Sequence, residues 1–222
     1  MKKRVFISRN AADCQEIQAY LPKDIEVITQ SLIETTAVPF NKEIPLTDWI
    51  FFSSSNGARH FFEQHPIIHH QRFAAIGEAT AKAVEEFHQV DFVGNSADIT
   101  DSAYRFAEAL GTETVLFPIA EDSLKHIQSV IPAHQVVDLP VYRTFEKSEG
   151  VEACDVYVFS SPSNVRSFFR GNPHSTTAQQ PCIAYGKATE EELSKHGVEN
   201  ITIPASLEAR SIAYTIIQAL QG

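Results

Sequence analysis

Phe52-Ser-Ser-Ser-Asn-Gly-Ala-Arg-His-Phe-Phe62 returns 107 residues further on as Phe159-Ser-Ser-Pro-Ser-Asn-Val-Arg-Ser-Phe-Phe169, with six of the eleven positions identical. In the first copy the buried-type run Trp49–Phe52 reads as a strand, and Asn56–Gln64 as a helix opened by serines. Further along each copy, Ile76-Gly77-Glu78-Ala79-Thr80 recurs as Tyr185-Gly186-Lys187-Ala188-Thr189 at an offset of 109. The helical stretch Ala103–Leu110 recurs as Ala213–Leu220 at 110. The weakest echo pairs Val5-Phe6-Ile7, Ile17-Gln18 and Pro22 with Val115-Leu116-Phe117, Ile127-Gln128 and Pro132, again at 110. Matches in one order, with offsets drifting only by small loop changes, describe two tandem copies of a unit of about 110 residues.

Each copy alternates strand and helix. The first reads as strand Arg4–Ser8, helix Asp13–Leu21, strand Ile25–Thr29, then strand Phe73–Ile76, helix Ala79–Phe87, strand Asp91–Val93, and a helix capped by Asp98 or Thr100 and ending at Leu110. The second reads as Thr114–Phe117, helix Leu124–Ile131, Gln135–Asp138, Val156–Phe159, helix Asn164–Phe169, Cys182–Tyr185, helix Thr189–His196, Ile201–Ile203 and helix Leu207–Leu220. Such alternation builds parallel sheets with helices on both faces. One segment per copy breaks it: Leu32–Thr36 and Leu139–Thr144 are extended in type and follow a strand with no helix between. They are natural candidates for a two-stranded connector between lobes.

Composition bounds the function. The chain has 222 residues, 43% hydrophobic and 21% charged, enough for one large domain or two small ones. No run approaches the ~20 apolar residues of a membrane helix. Met1-Lys2-Lys3-Arg4 is basic, yet only Val5-Phe6-Ile7 follows it, too short for a signal-peptide core, so a cytoplasmic protein is expected. Eighteen Lys+Arg against 28 Asp+Glu, a net charge of -10, argues against nucleic acid as a partner. Cys14, Cys154 and Cys182 are odd in number and far apart, which fits neither a disulfide framework nor a zinc site. None of the nine glycines lies two positions from another, so the usual dinucleotide and phosphate-binding loops are absent. His65, His69 and His70 contain an i,i+4 pair, but Pro66 points to a helix end and loop, and no metal is expected there.

The ordered set of a strand ending in Phe-Ser-Ser, a Gly-x-Ala-Thr turn, a Val141-Tyr142-Arg143-Thr144 connector and the same elements again resembles the uroporphyrinogen-III synthase family over essentially the whole chain. The resemblance implies two similar α/β lobes with parallel, flavodoxin-like sheets, joined by a two-stranded β connector with a cleft between them. Lobe one would be 1–33 plus 145–222, lobe two 38–135, and the connector strands 34–37 and 136–144. It further implies a monomer that needs no metal or organic cofactor. Its substrate would be a linear tetrapyrrole, hydroxymethylbilane, cyclised with inversion of the last pyrrole ring and loss of water in porphyrin biosynthesis. Where the family often has a basic, Gly-containing turn, this chain has Pro118-Ile119-Ala120-Glu121-Asp122-Ser123, an acidic stretch that must point away or be compensated by neighbours. Ser55, too, stands where its repeat mate is Pro162.

Such a substrate carries many carboxylates, whereas the protein is net negative, so the binding device cannot be bulk charge. Backbone N–H groups at helix starts are one that fits. Ser53, Ser54 and Ser55, Ser160 and Ser161, and Gly77 with Thr80 and Gly186 with Thr189 lie at turns that follow strands, where open α/β sheets bind ligands. The same serines and threonines could simply cap their own helices. Arg9 is a further carboxylate partner; Arg59, Arg143 and Arg166 are weaker candidates. By the resemblance, Tyr142 faces the cleft, and a phenol with an ordinary pKa of ~10 holds the proton that a departing hydroxyl needs. The rival reading is a non-catalytic two-lobed small-molecule binding module; the paired Ser-Ser and Gly-x-Ala-Thr turns favour the enzyme.

Overall fold

A computed structural model describes residues 2–96, 98–173 and 179–221. In chain order, β1 (Lys3–Ile7), α1 (Gln15–Tyr20), β2 (Ile25–Thr29), β3 (Ile33–Ala37), β4 (Trp49–Phe52), α2 (Ser55–Phe62), β5 (Arg72–Ala75) and α3 (Glu78–Glu85) come first. Then follow β6 (Phe92–Val93), α4 (Ile99–Leu110), β7 (Val115–Ala120), β8 (Val136–Glu146), β9 (Val156–Phe159) and α5 (Pro162–Gly171). β10 (Cys182–Ala184), α6 (Lys187–Lys195), β11 (Ile201–Thr202) and α7 (Ala209–Gln221) close the chain. It divides into two compact units, Met1–Glu34 with Glu146–Gly222, and Thr35–Phe145.

The first unit is a five-stranded sheet of order β11-β10-β9-β1-β2 with every pair parallel. Strands of a parallel sheet are covered on both faces and so read as continuous apolar runs. Val156-Tyr157-Val158-Phe159 shows how one such run serves two layers. Val156 and Val158 join Cys14, Ile17, Ile212 and Ile216 beneath α1 and α7. Tyr157 and Phe159 point the other way, into Val165, Phe168 and Leu193 of α5 and α6.

The second unit repeats the design. Its sheet runs β3-β8-β7-β4-β5-β6, with β4 through β8 parallel. In β4, Ile50 and Phe52 face Ala58, Phe61, Ala83 and Val84 of α2 and α3, while Trp49 and Phe51 face Ala103 and Phe106 of α4. Each fully buried aromatic contributes about 1.5–3 kcal/mol of apolar burial, which is why these four-residue strands are held so firmly at both units' centres.

Three local outcomes differ from the periodicity. The stretch 11–21 splits into a 3₁₀ turn (Ala11–Cys14) and the short α1. The helix expected over 124–131 is reduced to a 3₁₀ turn at Gln128–Val130. Lys125 sits there in the left-handed region (φ 54) and bonds Asp138 at 2.8 Å, so Ile127 is buried without a helix to carry it. Finally, β7 continues through Pro118 to Ala120. Proline lacks a ladder donor, but β4 pairs only with Val115 and Leu116, so the missing N–H at Pro118 interrupts nothing on that side. β8 pairs along β7 from Val136 to Tyr142, with an irregularity at Ile119/Ala120. No helix among the described residues is long and apolar enough to cross a membrane.

Candidate functional site

In the first unit, β10, β9 and β1 are neighbours, so the turns after them share one sheet edge. Ser8 follows β1 and Ser160 follows β9. The Ser160 backbone N–H donates to Ser8 Oγ (2.8 Å), and Ser160 Oγ donates to the Ser8 carbonyl (2.9 Å). Ser161 caps α5, accepting from the Asn164 N–H at 3.3 Å and from Asn164 Nδ2 at 3.0 Å. Asn164 Oδ1 in turn accepts from the Leu32 N–H at 2.9 Å. After β10 comes Tyr185, then Gly186, the N-cap of α6, whose first turn receives no side-chain cap among the described residues. Thr189 is buried behind that turn. Arg9 extends from the end of β1, its guanidinium carbon 6.0 Å from the Tyr185 ring centroid and Nη2 4.0 Å from Asp13. Burial, only partly offset by Arg9, pushes the Tyr185 phenol up to about 12.

The second unit carries the corresponding turns after β4 and β5. Ser53 is exposed. Ser54 caps α2 by accepting from the Gly57 N–H at 3.0 Å. Ser55 Oγ donates to the Ala79 carbonyl at 3.1 Å, tying the start of α2 to the first turn of α3. Gly77 is the uncapped N-cap of α3, and Thr80 is buried behind it. The two glycines are not equivalent. A Cβ on Gly77 would stand 2.8 Å from Ser96 Oγ, whereas one on Gly186 meets nothing among the described residues within 4 Å.

Tyr142 is brought to this edge by β8. Its backbone carbonyl accepts from the Glu121 N–H at 3.0 Å, and its hydroxyl lies 3.1 Å from Ser54 Oγ, 88 positions away in sequence. Only 8% of the residue is exposed. Burial raises the phenol's pKa above its ordinary value, the bond to Ser54 opposes that, and the charge of Asp122 adds to it. Ser54 Oγ has one proton and two lone pairs. With one lone pair engaged by Gly57, the serine proton is available to Tyr142 Oη, which leaves the phenol's own proton free to be given away. The acidic stretch is compensated locally: Glu121 is paired bidentately with Arg143 at 2.5 and 3.1 Å.

Among the weaker candidates, Arg143 is thus occupied, and Arg166 is held by Glu146 at 2.8 Å and Ser163 at 3.2 Å. His65, His69 and His70 lie on the coil between α2 and β5. Four residues next to the named ones, Ser8, Asn164, Tyr185 and His60, escaped sequence reasoning. Only the repeat register could have flagged two of them: Asn164 stands opposite Gly57, and Tyr185 opposite Ile76.

The two parallel α/β units each carry hydroxyl groups and a helix start without a side-chain cap among the described residues at the carboxyl ends of their strands, the edge at which open α/β sheets bind ligands. The model of the family described as Uroporphyrinogen-III synthase HemD matches residues 5–213. Among solved structures, a uroporphyrinogen-III synthetase from Helicobacter pylori 26695 aligns over 99% of this chain and 100% of its own at 14% identity, with a TM-score of 0.64. A mutant uroporphyrinogen III synthase from Thermus thermophilus aligns over 99% of both chains at 17% identity, with a TM-score of 0.59. These likenesses speak for the fold; the family match carries membership. The chain belongs to the uroporphyrinogen-III synthase family, cyclising lyases of porphyrin biosynthesis.

Proposed function

We propose that this chain cyclises hydroxymethylbilane with Tyr142 as the general acid. The observation that supports the assignment is the Tyr142–Ser54 pair: a buried phenol, kept protonated by its surroundings, hydrogen-bonded to a serine whose other partner is a backbone N–H. Tyr142 gives its proton to the substrate's terminal hydroxyl, the C–O bond breaks, and water leaves. The pyrrole that carries the hydroxymethyl group supplies the electron pair for the exocyclic double bond of an azafulvene, and the last pyrrole at the other end of the chain attacks that carbon through its substituted α-position to give the spiro intermediate of ring inversion. Rearrangement then closes the macrocycle, with the ring proton lost returning to the phenolate. A positioned acid typically contributes 10²–10⁴-fold; holding the reactive chain in the inverting conformation supplies the rest.

The substrate's carboxylates are taken up by the uncapped first turns at Gly77 and Gly186, by Ser53, and by Arg9. Ser54, Ser55, Ser160 and Ser161 shape the turns through the hydrogen bonds described, and Thr80 and Thr189 back them from the interior. We also propose a monomer working in the cytoplasm, in keeping with three buried cysteines that form no disulfide among the described residues. The test is to mix the protein with fresh hydroxymethylbilane, oxidise the product and separate the uroporphyrin isomers. Mostly type III, in proportion to protein added, is expected. Type I alone at the uncatalysed rate overturns the assignment in favour of a binding module.

A further inference from the structure

We propose that His60 is a positioning residue for Tyr142, its imidazole serving as the platform that holds the phenol against Ser54. This rests on the acid role given to Tyr142 above. The two rings are stacked, with centroids 5.5 Å apart and planes inclined by 20°. The imidazole is held through one nitrogen: Nε2 is hydrogen-bonded to Thr35 Oγ1 of β3 at 2.8 Å, while Nδ1 makes no hydrogen bond among the described residues and lies 3.6 Å from Glu63, the C-cap of α2. Tyr142 Oη then meets Ser54 Oγ at 3.1 Å, and Ser54 caps the helix that carries His60. One helix therefore sets both the plane of the phenol ring, through His60, and the direction of its hydroxyl, through Ser54. A tyrosine has only two soft torsions, so a face contact and a hydroxyl contact from one rigid element leave it a single orientation.

The internal repeat separates this role from mere tethering. At the offset of 107 that relates α2 to α5, His60 corresponds to Ser167. Ser167 is fully buried, and its Oγ donates to the Leu32 carbonyl at 2.7 Å, tying α5 to the segment before β3. In the second copy a small hydroxyl is enough for that tie. The ring in the first copy exceeds what the tie requires, and the excess surface is what Tyr142 rests on.

The experiment compares His60→Ala with His60→Phe, each alone and combined with Tyr142→Phe. His60→Ala should lower kcat by about tenfold with KM within about twofold, as expected when a group acting in the transition state is misplaced. His60→Phe, which keeps the ring and gives up the Thr35 bond, should recover most of kcat. In the Tyr142→Phe background His60→Ala should cost about twofold or less, because the two residues act as one unit. NMR of tyrosine-ring-labelled protein gives a readout independent of turnover: the Tyr142 resonance, identified by its loss in Tyr142→Phe, should move in His60→Ala and stay near its place in His60→Phe. If His60→Ala is poorly folded, His60→Gln, which retains a partner for Thr35 without the ring, takes its place. Full kcat in the ring-deleted variant, equal losses for alanine and phenylalanine, or an unmoved Tyr142 resonance each overturn the proposal. Unchanged turnover in Tyr142→Phe alone would instead sink the acid role, and the resonance shift would still decide whether His60 positions the ring.

Discussion

Replacing Gly186 by alanine separates a ligand-binding turn from an ordinary helix start. The backbone at Gly186 is extended (φ 179, ψ 175), a conformation open to any residue, and a Cβ there meets no described heavy atom within 4 Å. Alanine is a poorer N-cap than glycine, by about 0.5–1 kcal/mol. Reduced freedom of the unfolded chain returns about 0.4–1 kcal/mol. The two nearly cancel, so Tm should stay within about 4 °C of wild type at about 2–4 °C per kcal/mol. Activity should respond differently. If a substrate carboxylate sits on the first-turn donors of α6, the added methyl denies it close approach and removes a charge-assisted hydrogen bond of about 1.5–3 kcal/mol. That amounts to about 10–150-fold in kcat/KM, carried mainly by KM because the contact is present before and during the reaction. The assay is the isomer-resolved turnover of hydroxymethylbilane beside a thermal melt. Unaltered Tm with unaltered KM would refute the role given to this turn. The repeat mate is the control: at Gly77 a Cβ would stand 2.8 Å from Ser96 Oγ and 3.1 Å from the Ser96 backbone nitrogen, so Gly77→Ala should lose about 1–3 kcal/mol of stability through overpacking.

Tyr142→Phe should lower kcat by about ten- to hundredfold with the type III product retained among what forms, the lower part of what a positioned acid supplies; wild-type turnover would remove Tyr142 from the chemistry. Cys154 and Cys182 are pushed by burial up to about 11 and about 12, and Tyr185 to about 12, so the unfolded chain releases these protons first as pH climbs. Stability should therefore be insensitive to these groups below about pH 8 and fall progressively between about pH 8 and 12, read as a declining Tm across that range. By the same burial, none of the three cysteines should react with a thiol reagent at pH 8 in the native protein, and all three should in denaturant. Reaction of a native cysteine at the rate of a free thiol would contradict the packing described.

The architecture was legible because it rests on features written locally. The continuous apolar runs at 49–52 and 156–159 require covering on both faces, and the structure supplies it with helices on each side. The serines at 54 and 161 cap the helices that follow them. Asp98 caps α4 by accepting from the Asp101 N–H. Weak local signals mislead: the apolar spacing of Ile127 and Ile131 is helical, yet a left-handed Lys125 drawn to Asp138 breaks the turn before it can propagate.

The sequence by itself determined the repeat, the strand–helix alternation, the family and the chemical character of the turns, since each follows from residue type and spacing along one chain. Tertiary structure alone decided which of those turns are engaged and by what. Strand order places the end of β8 close enough to α2 for Tyr142 to reach Ser54 across 88 positions. It also sets Glu121 against Arg143, so that an acidic stretch carries its own counter-charge, and it crowds Gly77 while no described residue crowds Gly186. His60 shows the division most clearly. In the sequence it is one polar residue in a helix that matches a serine in the other copy; its stacking on Tyr142 exists only because β3, β8 and α2 converge there. Partner choice at a sheet edge depends on which strands are neighbours and in what register, and spacing within a single element carries no record of either.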